Sequence, residues 1–134
     1  MINEIIRKYE DFSDCLILGF NYLSYSFEFE PVDKLEILIS CYNADSDYRR
    51  EIIKLTIGQV FKWKFNLAEY GSNSTSIYSA LIKEENGVII LDFFPVLGDV
   101  LELDPESDFY VFGKEISYET VAVLSIDGKI ISSS

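Results

Sequence analysis

The amino-acid sequence predicts a mainly β protein, formed as a single domain over residues 1–134. The expected architecture is an antiparallel β-sandwich or a strongly bent sheet with a short N-terminal helix. Short runs in which apolar and polar residues alternate recur along the chain, with turn-forming residues between them. No long helical segment separates successive runs, and parallel strands would need such connections.

The first element is predicted to be a short amphipathic helix or arm within residues 1–12. Its apolar residues recur at helical spacing: Ile2, Ile5, Ile6 and Tyr9. After it, the nearly continuous apolar run Asp14–Tyr22 is typical of a central strand.

The next two strands show a period of two. Tyr25, Phe27 and Phe29 alternate with serine and glutamate, which predicts a half-buried strand. We expect Pro31 to end this strand, because proline cannot donate a hydrogen bond to a ladder. The alternation within residues 35–41 predicts a further strand, followed by a polar loop over Asn43–Asp47.

Residues 51–67 predict a hairpin. Apolar side chains share one face in each of its two runs: Ile53, Leu55 and Ile57, then Phe61, Trp63 and Phe65. A loop over residues 57–59 pairs Leu55 with Phe61 and puts both sets on one side of the sheet. A slip of one residue would turn one set to solvent, so this loop length is expected.

A second hairpin is predicted at Asn86-Gly87, a pair that suits a turn in which both central residues have positive φ. Its register pairs Ile82 with Leu91 and Ala80 with Phe93. The opposite face then mixes apolar and charged residues and is expected to be only partly covered.

The C-terminal part begins with an irregular connection, Pro95–Asp108. Two final strands follow, over Phe109–Phe112 and Glu115–Ile126. The tail Ser132–Ser134 is expected to fray.

The aromatic residues in two of these segments are predicted to be core. They are Tyr22, Tyr25, Phe27, Phe29, Phe61, Trp63 and Phe65. A base-stacking platform is the alternative, but such platforms work inside a positive groove. The pattern places Lys62 and Lys64 on the opposite face, which favours core packing.

Two cysteines, Cys15 and Cys41, lie in apolar runs. They could pair across neighbouring strands, or they could be buried free thiols that act as small hydrophobic residues. The N-terminus does not show the pattern of a secretory signal, because charged residues interrupt it from Glu4 onward. We therefore expect a cytoplasmic protein with free thiols and no membrane partner.

Composition excludes several classes of function. The chain carries 23 acidic and 11 basic residues, a net charge of −12, and no histidine. A nucleic-acid partner is not expected, because phosphate binding needs clustered lysine and arginine. Without histidine there is no Ser-His-Asp site, and the glycines form no phosphate-binding loop. The sequence predicts no enzyme, no catalytic residue, no cofactor and no metal, although paired carboxylates for glycoside hydrolysis remain open.

The acidic charge is concentrated late in the chain, in the run Asp99–Asp108. Such a run can steer a basic protein partner towards the surface, and a nearby aromatic residue can supply the apolar anchor. The predicted partner-binding residues are Asp99, Glu102, Asp104, Glu106, Asp108 and Tyr110. The alternative is a solvated loop that only aids solubility.

Calcium binding is a weaker alternative for part of this run. Asp104, Glu106, Asp108 and Glu115 follow the acidic spacing of an EF-hand loop. Phe109, however, stands where the sharp turn of that loop needs glycine. No metal site is therefore predicted.

Four segments resemble small acidic immunity proteins of bacterial polymorphic toxin systems. They are Phe12-Ser13-Asp14, Leu35–Ser40, Leu55–Phe65 and Glu85–Phe93. The likeness is in strand order and hydrophobic pattern over Asp14–Asp127, and it carries over no functional residue. It implies a cytoplasmic inhibitor that binds a toxin domain.

The predicted function is a non-enzymatic protein-binding module, of the immunity type, that neutralises a basic toxin domain through an acidic surface. The alternative is a self-associating structural or scaffold protein that uses an uncovered sheet face or edge. Both a monomer and a homodimer are compatible with these two hypotheses.

Overall fold

The computed structural model describes residues 1–65, 75–77, 80–93, 109–125 and 129–133. Within these ranges the fold is mainly β, with one short helix and two antiparallel sheets, as predicted. No helix in them is both long and apolar enough to cross a membrane.

The helix α1 spans Ile2–Tyr9. The larger sheet contains six strands: β1 (Cys15–Phe27), β2 (Glu30–Asn43), β3 (Arg49–Gly58), β5 (Thr75–Ile77), β9 (Glu115–Leu124) and β10 (Ile130–Ser133), in the order β10-β9-β3-β2-β1-β5. The smaller sheet contains four: β4 (Lys62–Phe65), β6 (Leu81–Glu85), β7 (Val88–Asp92) and β8 (Phe109–Gly113), in the order β4-β8-β7-β6. A single turn of 3-10 helix, Ala44–Ser46, links β2 to β3.

The core lies between the two sheets. Alternate residues of β2 and β3 are fully buried: Leu35, Ile37, Ile39, Ile53, Leu55 and Ile57. Phe109 and Val111 of the smaller sheet belong to the same buried cluster, and α1 adds Ile5 and Tyr9. Each large apolar side chain buried in this way contributes roughly 1.5–3 kcal/mol to stability.

Aromatic rings join the two sheets at one side of this core. The Phe20 ring of β1 lies 3.7 Å from the Phe65 ring of β4 and 6.0 Å from the Phe109 ring of β8, measured between centroids. Aromatic residues supply large buried areas, so these contacts hold the short strand β4 against the larger sheet.

The predicted hairpin over residues 51–67 is wrong. Leu55 pairs with Ile37 of β2 on one side and with Tyr118 of β9 on the other, so both edges of β3 are occupied. After Gly58 the chain crosses to the smaller sheet, where Trp63 pairs with Val111. Two apolar faces can be buried by stacking as well as by lying side by side, and the alternation in the sequence does not distinguish these arrangements.

The expectation that Pro31 ends a strand is also wrong. The chain reverses earlier, through Glu28 and Phe29, which both have positive φ, 51° and 68°. Pro31 then lies inside β2, opposite Ser26 of β1.

The hairpin at Asn86-Gly87 is confirmed. Ile82 pairs with Leu91, and the two turn residues have φ of 53° and 78°. Its other face is partly covered, as expected: Ile90 and Asp92 are buried and Lys83 is exposed.

The ends of the chain agree with the predictions in part. The N-terminal helix and the two strands predicted after residue 108 form, although β9 ends at Leu124 and a further strand, β10, follows it. Ser132 and Ser133, in the tail that was expected to fray, pair with Val123 and Ala122 as part of β10.

Gly113 offers a test of how closely the two sheets approach. An added Cβ would lie 2.5 Å from Ile57 Cγ2 and 2.7 Å from the Gly58 carbonyl oxygen. Gly113→Ala should lower the free energy of unfolding by about 1–3 kcal/mol, because overpacking forces the backbone to shift. Urea denaturation measures this change.

Gly19→Ala is the matched control, because nothing lies within 4 Å of a Cβ at that position. We expect its stability to change by less than about 1 kcal/mol. Equal stability of the two variants would contradict the close approach of β8 to β3.

Candidate functional site

The predicted partner-binding acids lie outside the described residues. They are Asp99, Glu102, Asp104, Glu106 and Asp108, and the first three acids of the calcium alternative fall in the same range. Tyr110 is therefore the one predicted site residue whose surroundings can be described.

Tyr110 lies on the outward face of β8, among lysine and aromatic side chains. It pairs with Lys64 of β4 and with Asp92 of β7. The Lys62 ammonium lies 5.7 Å from the centroid of the Tyr110 ring and 5.4 Å from that of Phe112. Cation–π attraction therefore holds a positive charge over this face, and the described neighbours of Tyr110 include no exposed acid.

The prediction that the aromatic residues form core is wrong for most of them. Tyr22 and Phe65 pack partly buried against the core. The others are exposed: Tyr25, Phe27, Phe29, Phe61 and Trp63. Tyr25 and Phe27 pair with Val32 and Glu30, which precede Leu35, the first buried residue of β2.

The exposed end of the β1–β2 hairpin, residues 24–33, is here called the hairpin tip. Phe29 is completely exposed and Phe27 is 64% exposed. The tip carries Glu28, Glu30 and Asp33 and no basic residue. An exposed apolar surface that is bordered by charges of one sign is typical of a protein-binding surface.

Part of the hairpin tip is held in a fixed geometry. Asp33 accepts hydrogen bonds from the Ser24 hydroxyl at 2.7 Å and from the Tyr22 hydroxyl at 3.2 Å. These bonds connect the base of the tip to the partly buried end of β1. The sequence signal for this surface was the glutamate and proline content of residues 28–31, which is unusual for a strand that packs in a core.

A buried polar cluster lies near α1. The Tyr9 hydroxyl donates a hydrogen bond to Glu51 Oε2 at 2.9 Å, and Asn43 Nδ2 donates one to Glu51 Oε1 at 2.8 Å. Tyr9, Asn43 and Glu51 are all buried. Burial and the Glu51 carboxylate raise the pKa of Tyr9, so its hydroxyl keeps its proton and acts as a donor. Both carboxylate oxygens have donors, which is how a buried acid is tolerated.

The two cysteines are buried free thiols. Burial raises the pKa of Cys15 from 9.0 to about 11, and burial together with the neighbouring Cys15 raises the pKa of Cys41 further. Both thiols therefore stay protonated near neutral pH, and a thiol is a poor nucleophile and a poor metal ligand. In the part of the chain that is described, no three acidic or cysteine side chains converge on a possible metal position.

Comparison with known proteins adds no relative. No protein-family model, no curated protein and no solved structure matches the chain.

The raised thiol pKa values predict a loss of stability at alkaline pH. The folded state binds its thiol protons more tightly than the unfolded state does, so this contribution is complete below pH 9.0 and is lost as the pH rises towards about 11. The slope of the free energy of unfolding against pH should therefore be smaller in Cys15→Ala than in the wild type.

Denaturant unfolding at a series of pH values measures both slopes. Tyr9 contributes in the same direction at still higher pH, and it is present in both proteins. Identical slopes between pH 9.0 and about 11 would show that Cys15 is not protonated more strongly in the fold.

Proposed function

We propose that this protein is a non-enzymatic protein-binding module and that the hairpin tip is its contact surface for a basic partner. The observation that carries the proposal is Phe29. It combines a completely exposed aromatic side chain with a φ of 68°, a backbone region that residues other than glycine rarely adopt.

A phenylalanine at this position is unfavourable for folding alone. The left-handed conformation costs roughly 1–2 kcal/mol for a residue with a side chain, and the exposed ring returns no burial energy. Such local cost is typical of residues that are kept for a contact with another molecule. Phe27 beside it extends the exposed apolar area.

The charge of the tip favours a basic partner. Glu28, Glu30 and Asp33 lie in the same segment of the chain as the exposed rings. The net charge of −12 adds a long-range attraction for a positive protein and repels nucleic acid. Aromatic anchors inside a charged rim are the usual composition of a binding hot spot. Under the resemblance to immunity proteins, the partner is a basic toxin domain, and the acidic run Asp99–Asp108 is a second candidate contact.

Phe29→Gly tests the tip directly. Co-purification from the native cell identifies the basic partner, and calorimetry with that partner measures the affinity. We expect the affinity to fall by at least about tenfold, because a buried aromatic anchor is lost. The free energy of unfolding should rise by up to about 1 kcal/mol, because glycine accepts positive φ without strain.

Tyr48→Gly is the matched control. Tyr48 is also an exposed aromatic residue with positive φ, 59°, but it lies in the turn at the other end of β2. Its replacement should leave the affinity unchanged. The triple change Asp104→Asn, Glu106→Gln and Asp108→Asn tests the acidic run separately. No binding of the basic domain, or full affinity of Phe29→Gly, would overturn the role of the tip.

Self-association is the second candidate, and the edge of β1 favours it. β2 occupies one edge of β1, and on the other edge β5 pairs only with Cys15–Ile17; no further described strand pairs along that second edge. The following residues, Gly19–Phe27, carry no charge. Natural proteins usually block a free edge with charged residues. A second copy could therefore add to this edge without repulsion between like charges.

Ser26→Lys tests this second candidate. The variant would place a lysine on the uncharged edge of β1 and disfavour strand addition there, so a wild-type dimer should dissociate in the variant. Sedimentation velocity over a range of concentrations measures the change. Ser117→Lys is the control. Ser117 lies on β9, a strand that already carries Glu115 and Glu119. A wild-type monomer at every concentration would exclude self-association through this edge.

A further inference from the structure

A cleft of about 1200 Å³ lies at the opposite end of β2 from the hairpin tip. Its walls come from the end of β2, the turn into β3, the end of β9 and the start of β10. The argument for its function depends on five residues: Tyr42, Arg49, Arg50, Ile130 and Ile131. None of them belongs to the proposed contact surface.

The cleft is positive although the protein is strongly negative. Three basic residues line it, Arg49, Arg50 and Lys129, against one acid, Asp47. Arg49 and Arg50 form no ion pair within the described part of the chain, whereas Arg7 pairs with Asp45 at 3.1 Å. Both arginines line the cleft, so their guanidinium groups keep their capacity to bind an anion there.

Arg50 is already oriented for such a contact. Its Nη2 donates a hydrogen bond of 2.6 Å to the Tyr42 hydroxyl, and its guanidinium carbon lies 5.1 Å from the centroid of the Tyr42 ring. Stacking on an aromatic ring fixes the plane of the guanidinium, and the remaining N–H groups can donate to a carboxylate or phosphate in two parallel bonds. Less side-chain entropy is then lost when a ligand binds.

The other wall of the cleft is apolar. Ile130 and Ile131 of β10 are both exposed, and Leu124 of β9 lies beside them. An inorganic anion would use the arginines and leave this wall in water. A ligand that also carries an apolar group would cover the wall and gain the free energy of that burial.

We propose that this cleft binds a small amphiphilic anion, with its carboxylate or phosphate on Arg49 and Arg50 and its apolar group on the β10 isoleucines. The binding is independent of the hairpin tip and of any protein partner. A long polyanion is excluded, because the net charge of −12 repels it outside the cleft.

The test uses four probes with the full-length protein: naphthoate, naphthyl phosphate, neutral naphthamide and inorganic phosphate. Amide chemical shifts in two-dimensional NMR report where each probe binds. Naphthoate or naphthyl phosphate should bind at the cleft at least about tenfold more tightly than naphthamide, because a charge-assisted pair is lost in the amide. The stronger of the two anions identifies the headgroup, and inorganic phosphate alone should bind more weakly than either.

Arg50→Gln should weaken the binding of the better anion by about tenfold or more, and Arg50→Lys should restore only part of it, since lysine lacks the planar fork. Arg49→Gln is a second variant that keeps the test valid if the Arg50 variants do not fold, because Arg49 is exposed. Lys114→Gln, an exposed lysine outside the cleft, is the control and should bind as the wild type does. Equal affinity for naphthamide and naphthoate, unchanged affinity in the arginine variants, or shifts confined to other residues would overturn the proposal.

Discussion

The position of β3 at the centre of the larger sheet is the constraint on which the rest of the fold depends. Both of its edges are paired, and its inward side chains are completely buried. The chain that follows cannot fold back on it and must cross to a second sheet, which then covers the same apolar face. This crossing requires Gly113 to lie against Ile57 and Gly58, so one close backbone contact joins the two sheets. The cleft and the hairpin tip lie at the two ends of β2, outside the region that the sheets bury together.

Local features of the fold could be predicted from the sequence, and long-range ones could not. The helix at Ile5 and Tyr9, the strand with Leu35 and Ile37, and the turn at Asn86-Gly87 each have a signal within a few residues. The partner of a strand has no such signal, which is why Leu55 was paired with the wrong segment. The exposed aromatic residues were misread for a related reason. Alternation shows that one face differs from the other, but it does not show whether a second layer covers that face.

The candidate surfaces were still harder to predict. Residues from four separated segments form the cleft, and no one segment carries a recognisable motif. The composition gives no sign of a positive cleft, because the chain as a whole has 23 acidic and 11 basic residues. Under the two proposals, function depends on where charge is placed. The negative, aromatic tip and the positive, partly apolar cleft are separated by the length of β2, so the two proposed ligands would bind without interfering with each other.

Two of the described turns, Glu28-Phe29 and Asn86-Gly87, both have positive φ but differ in how well their residue types accept it, and this has a consequence for how the chain folds. Asn86 and Gly87 adopt positive φ at little energetic cost. The β6–β7 hairpin can therefore form first at this turn and extend towards the open end of the hairpin. Positive φ is unfavourable for Glu28 and Phe29, and the neighbouring side chains are exposed rather than packed in the core. The β1–β2 hairpin should therefore form first at its base, around Phe20 and Ile37, and close last at Phe29. In that order of events the proposed contact surface is the last part of the β1–β2 hairpin to become ordered, and the first part of it to open when the protein unfolds.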